Sequence, residues 1–246
     1  MQKLFSTFIQ DAYRSYCTKR FVFAVLGVAF FNFLSVYWDM LLGSANCVAY
    51  LYMISGIMGI ETLYLLLSVL PGTILFRVDK NENYQRNVLL RSGKIAYLLS
   101  KVVITVFTAI SVSLIGDFLF ICALEMRYPF TTDEFSEQVL SLYGCSVLEY
   151  ILRKSFIKSI SASAFSSMAL YISSRTKNIL IILFSPIILY YLWLRLCRIL
   201  GLPQWLDIAL LIRGETLGTA TSLVVFVIVI VASSALFIME ANRSME

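Results

Sequence analysis

No histidine occurs in the 246 residues. The commonest metal ligand and the commonest general base are therefore missing. The five cysteines, Cys17, Cys47, Cys122, Cys145 and Cys197, contain no CxxC pair, so the usual zinc and dithiol motifs are excluded. Their odd number leaves at least one thiol unpaired within the chain, and most read as small apolar filler. GxSxG is absent, and no paired acidic motif sits on facing apolar stretches. An intramembrane protease or lipid-modifying transferase would thus lack a positioned nucleophile and its acid–base partner. GxxxxGKS/T is absent as well, so the chain cannot cradle nucleotide phosphates itself. No catalytic residue and no metal ligand is assigned. Charge is scarce too: charged residues make up 14% of the chain, where a soluble domain carries about 25%.

Hydrocarbon takes the place of charge. Apolar residues are 59% of the chain, and the mean hydropathy is +0.83. A soluble core cannot absorb that much apolar surface, so lipid must cover part of it. A crossing helix needs roughly 20 apolar residues. Six stretches qualify, at about 21–42, 48–76, 95–123, 155–173, 179–196 and 222–239. They leave no room for a soluble domain, and residues 1–246 read as one all-α membrane domain. The fourth stretch is the weakest, being rich in serine and alanine. Pro71-Gly72 is expected to end or kink the second near the membrane surface, and Pro186 to interrupt the fifth. The first apolar run begins about 20 residues in and is too long for a signal-peptide core, so the N-terminus reads as uncleaved.

Residues 2–18 repeat apolar side chains at helical spacing: Leu4, Phe5, Phe8, Ile9, Ala12, Tyr13 and Tyr16. The segment is too polar to span. An amphipathic helix lying in the headgroup layer is one reading, and a helix facing solvent is the other. Lys19 and Arg20 then anchor the start of the first span. Between Cys197 and Thr221 a short apolar piece follows Pro203, which suits the first turn of a helix, and a short outer or re-entrant helix is expected there. Counting Lys and Arg in the connections sets the orientation. Lys3, Arg14, Lys19, Arg20, Arg77, Lys80, Arg86, Arg91, Lys94, Arg175, Lys177 and Arg243 fall on one side. Arg127, Arg153, Lys154, Lys158, Arg195, Arg198 and Arg213 fall on the other. Both termini are therefore expected in the cytoplasm, with the connection 77–94 on the same side and the segment 124–150 outside. Arg153, Lys154 and Lys158 fit this count poorly. The basic residues are not interleaved with aromatics on a polar surface, which excludes nucleic acid as a partner.

Three sets of polar residues stand out. The connection 77–94 mixes both charge signs around Val88-Leu89-Leu90 and can either offer charges to a soluble partner or merely fix topology. Glu61, with Tyr64 and Ser68 on its face, is a carboxylate at membrane depth, as is Asp117. Each can line a substrate path or make a hydrogen bond that packs the bundle. Ser159, Ser163 and Ser167 recur every four residues beside Ser155, a spacing that lets helices approach closely.

The interfacial helix, the six spans, the charged connection after the second, the Ser100-Lys101 re-entry and the helical excursion before the last span together resemble the type-2 ABC exporter permeases. The match covers nearly the whole chain in layout. Where that family often shows Glu-Arg-Glu followed by glycine, this chain has Asp79-Lys80-Asn81-Glu82-Asn83. The resemblance implies that Arg77, Asp79, Lys80, Glu82, Asn83, Arg86 and Arg91 form the region that couples to a cytosolic ABC ATPase. It implies no cofactor on this chain, with ATP and Mg held by the ATPase, and pairing with a second copy or a similar permease. It further implies an amphipathic substrate, such as a peptide, bacteriocin, antibiotic or lipid-like compound, and a bacterial plasma membrane as the address. A substrate-capturing membrane subunit without export activity is the alternative.

Overall fold

The computed structural model describes residues 2–43, 46–55, 61–81, 93–203, 206–213 and 219–243. Among these the chain forms α1 (Gln2–Tyr16), α2 (Lys19–Leu41), α3 (Val48–Ile54), α4 (Glu61–Asn81), α5 (Lys94–Glu125), α6 (Asp133–Tyr143), α7 (Val147–Arg175), α8 (Ile179–Ile199), α9 (Ile208–Arg213) and α10 (Thr219–Arg243). Helix starts follow local chemistry. Thr18 Oγ1 accepts from the Phe21 N–H, Ser146 Oγ from Glu149, and Asn178 Oδ1 from Leu180, so each satisfies one of the donors that a first turn leaves open.

The protein is an all-α, multi-pass bundle. Five helical segments are long and apolar enough to cross a membrane: Lys19–Leu41, Thr62–Asp79, Lys94–Glu125, Ile179–Ile199 and Ala220–Arg243. A belt of exposed Val22, Phe23, Phe30, Phe118, Ile188, Tyr191, Val227 and Val231 surrounds the bundle. Contiguous apolar surface of that kind requires lipid. The sixth expected span, 155–173, is not among the five. It lies within α7, which carries Lys154, Lys158 and many serines and so lacks the composition of a lipid-facing helix. Yet α7 is the hub, touching α3, α4, α5, α6, α8, α9 and α10. Its hydroxyls are hidden by bonding back onto its own carbonyls: Ser159 to Phe156, Ser163 to Ile160, and Ser167 to Ala164. Small side chains with internally satisfied hydroxyls let neighbouring helices close in.

Three further expectations change. The second apolar stretch is divided: α3 ends at Ile54, α4 begins at Glu61, and residues 56–60 lie outside the described part. Pro71 does not end α4, which continues to Asn81. Within a packed membrane bundle, neighbouring helices can compensate a proline. Pro186 likewise sits inside a continuous α8. The Ile182 carbonyl that it deprives of a partner accepts from Ser185 Oγ at 2.7 Å. The segment 124–150 contains α6, whose Phe135 and Val139 pack with α3 in a cluster around Tyr52 and Phe120. There the first N–H groups of α3, on Val48 and Ala49, donate to the carbonyls of Pro129 and Phe130.

Gly72 sets the spacing of α4 and α5. A Cβ there would lie 2.8 Å from Thr105 Cα and 2.7 Å from Thr108 Oγ1. At Gly27 a Cβ would meet only the end of the Leu67 side chain, which can rotate away. Gly72→Ala is therefore expected to destabilise the bundle by about 1–3 kcal/mol through overpacking, and Gly27→Ala by less. Thermal unfolding of the two variants in detergent checks the ranking. Equal melting temperatures would contradict it.

Candidate functional site

Two buried ionic clusters organise the bundle, and α5 contributes to both. The first lies where α1, the end of α4 and the start of α5 meet. Lys101 places its ammonium 2.7 Å from Asp11 Oδ1 and 2.5 Å from Asp79 Oδ2. Arg14 Nη2 lies 2.8 Å from the other oxygen of Asp79. Ser100 Oγ donates to Asp11 Oδ2 at 2.7 Å, and the Tyr97 ring lies 5.2 Å from the Lys101 nitrogen. Lys101, Asp11 and Asp79 are almost completely buried, while Arg14 keeps contact with water. Each anion thus has a cation beside it, as burial demands.

This cluster fixes how α1 sits. Among its described side chains Thr7, Asp11 and Ser15 are buried, spaced one helical turn apart. Ile9 and Tyr13, at 51% and 70% exposed, face away. Among its described side chains the helix thus turns Thr7, Asp11 and Ser15 to the protein and Ile9 and Tyr13 outward, the reverse of a helix packed on a soluble core.

The second cluster sits further along α5. Asp117 lies sixteen residues beyond Lys101, about 24 Å along the helix axis. Lys158 Nζ on α7 is 2.7 Å from Asp117 Oδ1 and 3.1 Å from Asn32 Oδ1 on α2. Asn32 Nδ2 donates to Asp117 Oδ1 at 2.8 Å, the Tyr52 hydroxyl to Oδ2 at 3.0 Å, and Ser155 Oγ to Oδ2 at 3.2 Å. The carboxylate is thereby held by α2, α3 and α7. Lys158 also lies 5.0 Å over the Tyr64 ring, and Tyr64 shares a 2.7 Å hydrogen bond with Ser161. Next to this cluster, Lys154 Nζ donates to the carbonyls of Met53 and Tyr52 at the end of α3. A cation there offsets the negative end of that short helix.

The residues singled out in the sequence fall as follows. Asp117, Tyr64 and Ser68 are buried; Lys158 joins Asp117 and Tyr64, while Ser68 lies further along the α4–α7 contact. The Ser68 carbonyl accepts from Ser166. Ser159, Ser163 and Ser167 are buried on α7, and Ser167 bonds Ser233 of α10 at 2.6 Å. Asp79 is wholly buried in the first cluster and Arg77 is 5% exposed, so neither presents its side chain to a soluble partner in this arrangement. Glu61 starts α4 and Lys80 lies in its last turn, but their side chains are outside the described part. Glu82, Asn83, Arg86 and Arg91 lie outside it altogether.

Asp11, Arg14, Lys101, Asn32, Tyr52 and Lys158 were not singled out as site residues. A signal for some of them was present. Lys101 is the lone cation inside the third apolar stretch, and Lys158 is a cation at the same depth as Asp117. Charges inside a membrane bundle pair with one another, so a search for opposite signs would have joined Lys158 to Asp117. Lys158 and Lys154 are engaged within the bundle, and Arg153 pairs with Glu149 one turn away.

These features define a multi-span α-helical integral membrane protein whose interior is tied by ion pairs. Compared with models of known families, with curated proteins and with solved structures, the chain matches none.

Removing one partner of a buried pair typically costs about 3–5 kcal/mol, because the other charge is stranded. Asp117→Asn and Lys158→Met are each expected to fall in that range, and the double variant Asp117→Leu/Lys158→Met to recover most of the loss. Denaturant unfolding in mixed micelles reads all three. A double variant as unstable as the sum of the singles would mean that the two charges are not coupled.

Proposed function

We propose that this chain is the membrane permease subunit of an ATP-driven exporter of the type-2 ABC class, working with a separate cytosolic ATPase that carries ATP and Mg. The observation that carries this reading is the ionic clamp at the base of the connection between α4 and α5. Asp79 lies two residues before the end of α4, and Lys101 lies seven residues after the start of α5. Asp11 and Arg14 draw α1 into the same knot. A force applied by a partner to residues 82–92 would therefore act on three helices together. Bound carbonyls, a buried triad and close helix packing would pass it on as a rigid-body shift between two arrangements of the bundle. In this reading Glu82, Asn83, Arg86 and Arg91 meet the ATPase, while Asp79 positions them.

Other features support the same arrangement. The Lys94 ammonium donates to the Asn242 carbonyl, Arg175 pairs with Glu240, and Phe76 stacks edge-on to Phe237. So α1, the end of α4, the end of α7 and the last turns of α10 gather at one end. In this reading that end faces the cytoplasm of a bacterial cell, and the count of Lys and Arg in the connections supports it. The outward Ile9 and Tyr13 suit an α1 lying in the headgroup layer. In this reading α7 is the sixth crossing, shielded from lipid by its neighbours, and α9 is the excursion before the last span. The functional unit pairs the chain with a second copy or a similar permease, and the cargo is amphipathic.

The test is co-purification with a candidate ATPase. Tagged chain is expected to retain the ATPase from detergent extracts, and Glu82→Lys or Arg86→Glu to reduce retention by about tenfold, the equivalent of one lost charge-assisted contact. Asn83→Cys should react with an impermeant maleimide only in inverted vesicles. Labelling from outside intact cells, or retention unaffected by either reversal, would sink the assignment.

A further inference from the structure

A groove of about 400 Å³ lies at the junction of α1 and α2, lined by Tyr16, Cys17, Thr18, Lys19, Val22, Phe23 and Leu26. We propose that it binds one anionic phospholipid, with the acyl chain along Val22, Phe23 and Leu26 and the phosphate against Lys19.

The chemistry of the lining carries this. The two hydroxyls of the groove, on Tyr16 and Thr18, are already engaged. The Tyr16 hydroxyl shares a hydrogen bond with Ser111 at 2.9 Å. Thr18 Oγ1 donates to the Ser15 carbonyl and accepts from Phe21 N–H. Lys19 is exposed, and Arg20 beside it is exposed as well. Val22, Phe23 and Leu26 are exposed at 55%, 70% and 55%, on the face of α2 that continues into the lipid-facing residues Phe30 and Leu34. The groove thus has a hydrocarbon floor open to the bilayer and a cationic rim.

Its position matches the molecule proposed. At this point α1, with Ile9 and Tyr13 turned outward, meets the first turn of a membrane-spanning helix, which is the depth where a headgroup gives way to its chains. A zwitterionic lipid would fill the floor equally well but would place a choline near the ammonium. Selectivity should therefore come from the rim and affinity from the floor. A bound lipid here would also brace α1 from the side opposite the Asp11–Lys101 pair. The site does not depend on the exporter reading, since it needs only the membrane-spanning bundle.

Native mass spectrometry of the full chain in detergent, with equimolar phosphatidylglycerol and phosphatidylcholine added, tests it. Wild type is expected to retain one phosphatidylglycerol about fivefold over phosphatidylcholine, the factor given by one cation near a phosphate. Lys19→Gln should bring the two lipids to near parity, and Phe23→Ala should lower retention of both without changing their ratio. Both substituted positions, Lys19 and Phe23, are exposed, and thermal unfolding of each variant confirms that it is folded. Wild-type retention without headgroup preference, or a preference that survives Lys19→Gln, would overturn the proposal. Retention of phosphatidylglycerol unchanged by Phe23→Ala would overturn the placement of its chain.

Discussion

The ammonium of Lys101, held between the carboxylates of Asp11 and Asp79, is the interaction on which the arrangement of this bundle turns. A charge buried without its partner is intolerable at low dielectric, so each of the three residues dictates where the others must be. Helix α1 can lie only where Asp11 reaches Lys101. Helix α4 must continue past Pro71 far enough to bring Asp79 to the same place. Ile9 and Tyr13 of α1 are turned outward as a consequence of where its charges are needed.

The second cluster applies the same rule to α7. Lys158 is matched by Asp117, which is in turn held by Asn32, Tyr52 and Ser155. This is why a helix too polar to face lipid can stand at the centre. Its neighbours screen it, most of its buried serines bond back to its own carbonyls, and Lys154 and Lys158 have partners on other helices. Such pairing adds specificity of register more than net stability, because well-packed apolar residues could replace the pair at little cost. A slip of one turn between α5 and α7 would leave both charges alone.

Much of the architecture was legible from apolar run lengths. The long helices α2, α5, α8 and α10 lie close to where 21–42, 95–123, 179–196 and 222–239 were expected, since a bilayer demands uninterrupted hydrocarbon and little else produces it. The division of the second stretch into α3 and α4 was not legible. Tyr52 must reach Asp117, and the first N–H groups of α3 must reach Pro129 and Phe130, and both are constraints between residues far apart in the chain. Prolines misled for a related reason. Pro186 reads as a break until Ser185 is seen bonding to the Ile182 carbonyl. Of the candidate site, Asp117 is legible by its depth and Tyr64 and Ser68 by their place on the face of Glu61, but the partner of Asp117 is hidden because Lys158 reads as a loop charge. Composition reports which residues are costly to bury. It does not report which pairs cancel.

The sequence separation of these pairs bears on how the protein is made. Asp11 precedes Lys101 by 90 residues, and Asp117 precedes Lys158 by 41. At a synthesis rate of roughly 5–20 residues per second, the earlier member of each pair emerges from the ribosome seconds before the later one exists. Asp117 must therefore enter the insertion machinery before its partner cation exists, and Asp11 must wait at the membrane surface through the making of α2, α3 and α4. Assembly of the native bundle is in this sense a late event: α1 can dock once Lys101 exists, while Asp117 waits for Lys158 on α7.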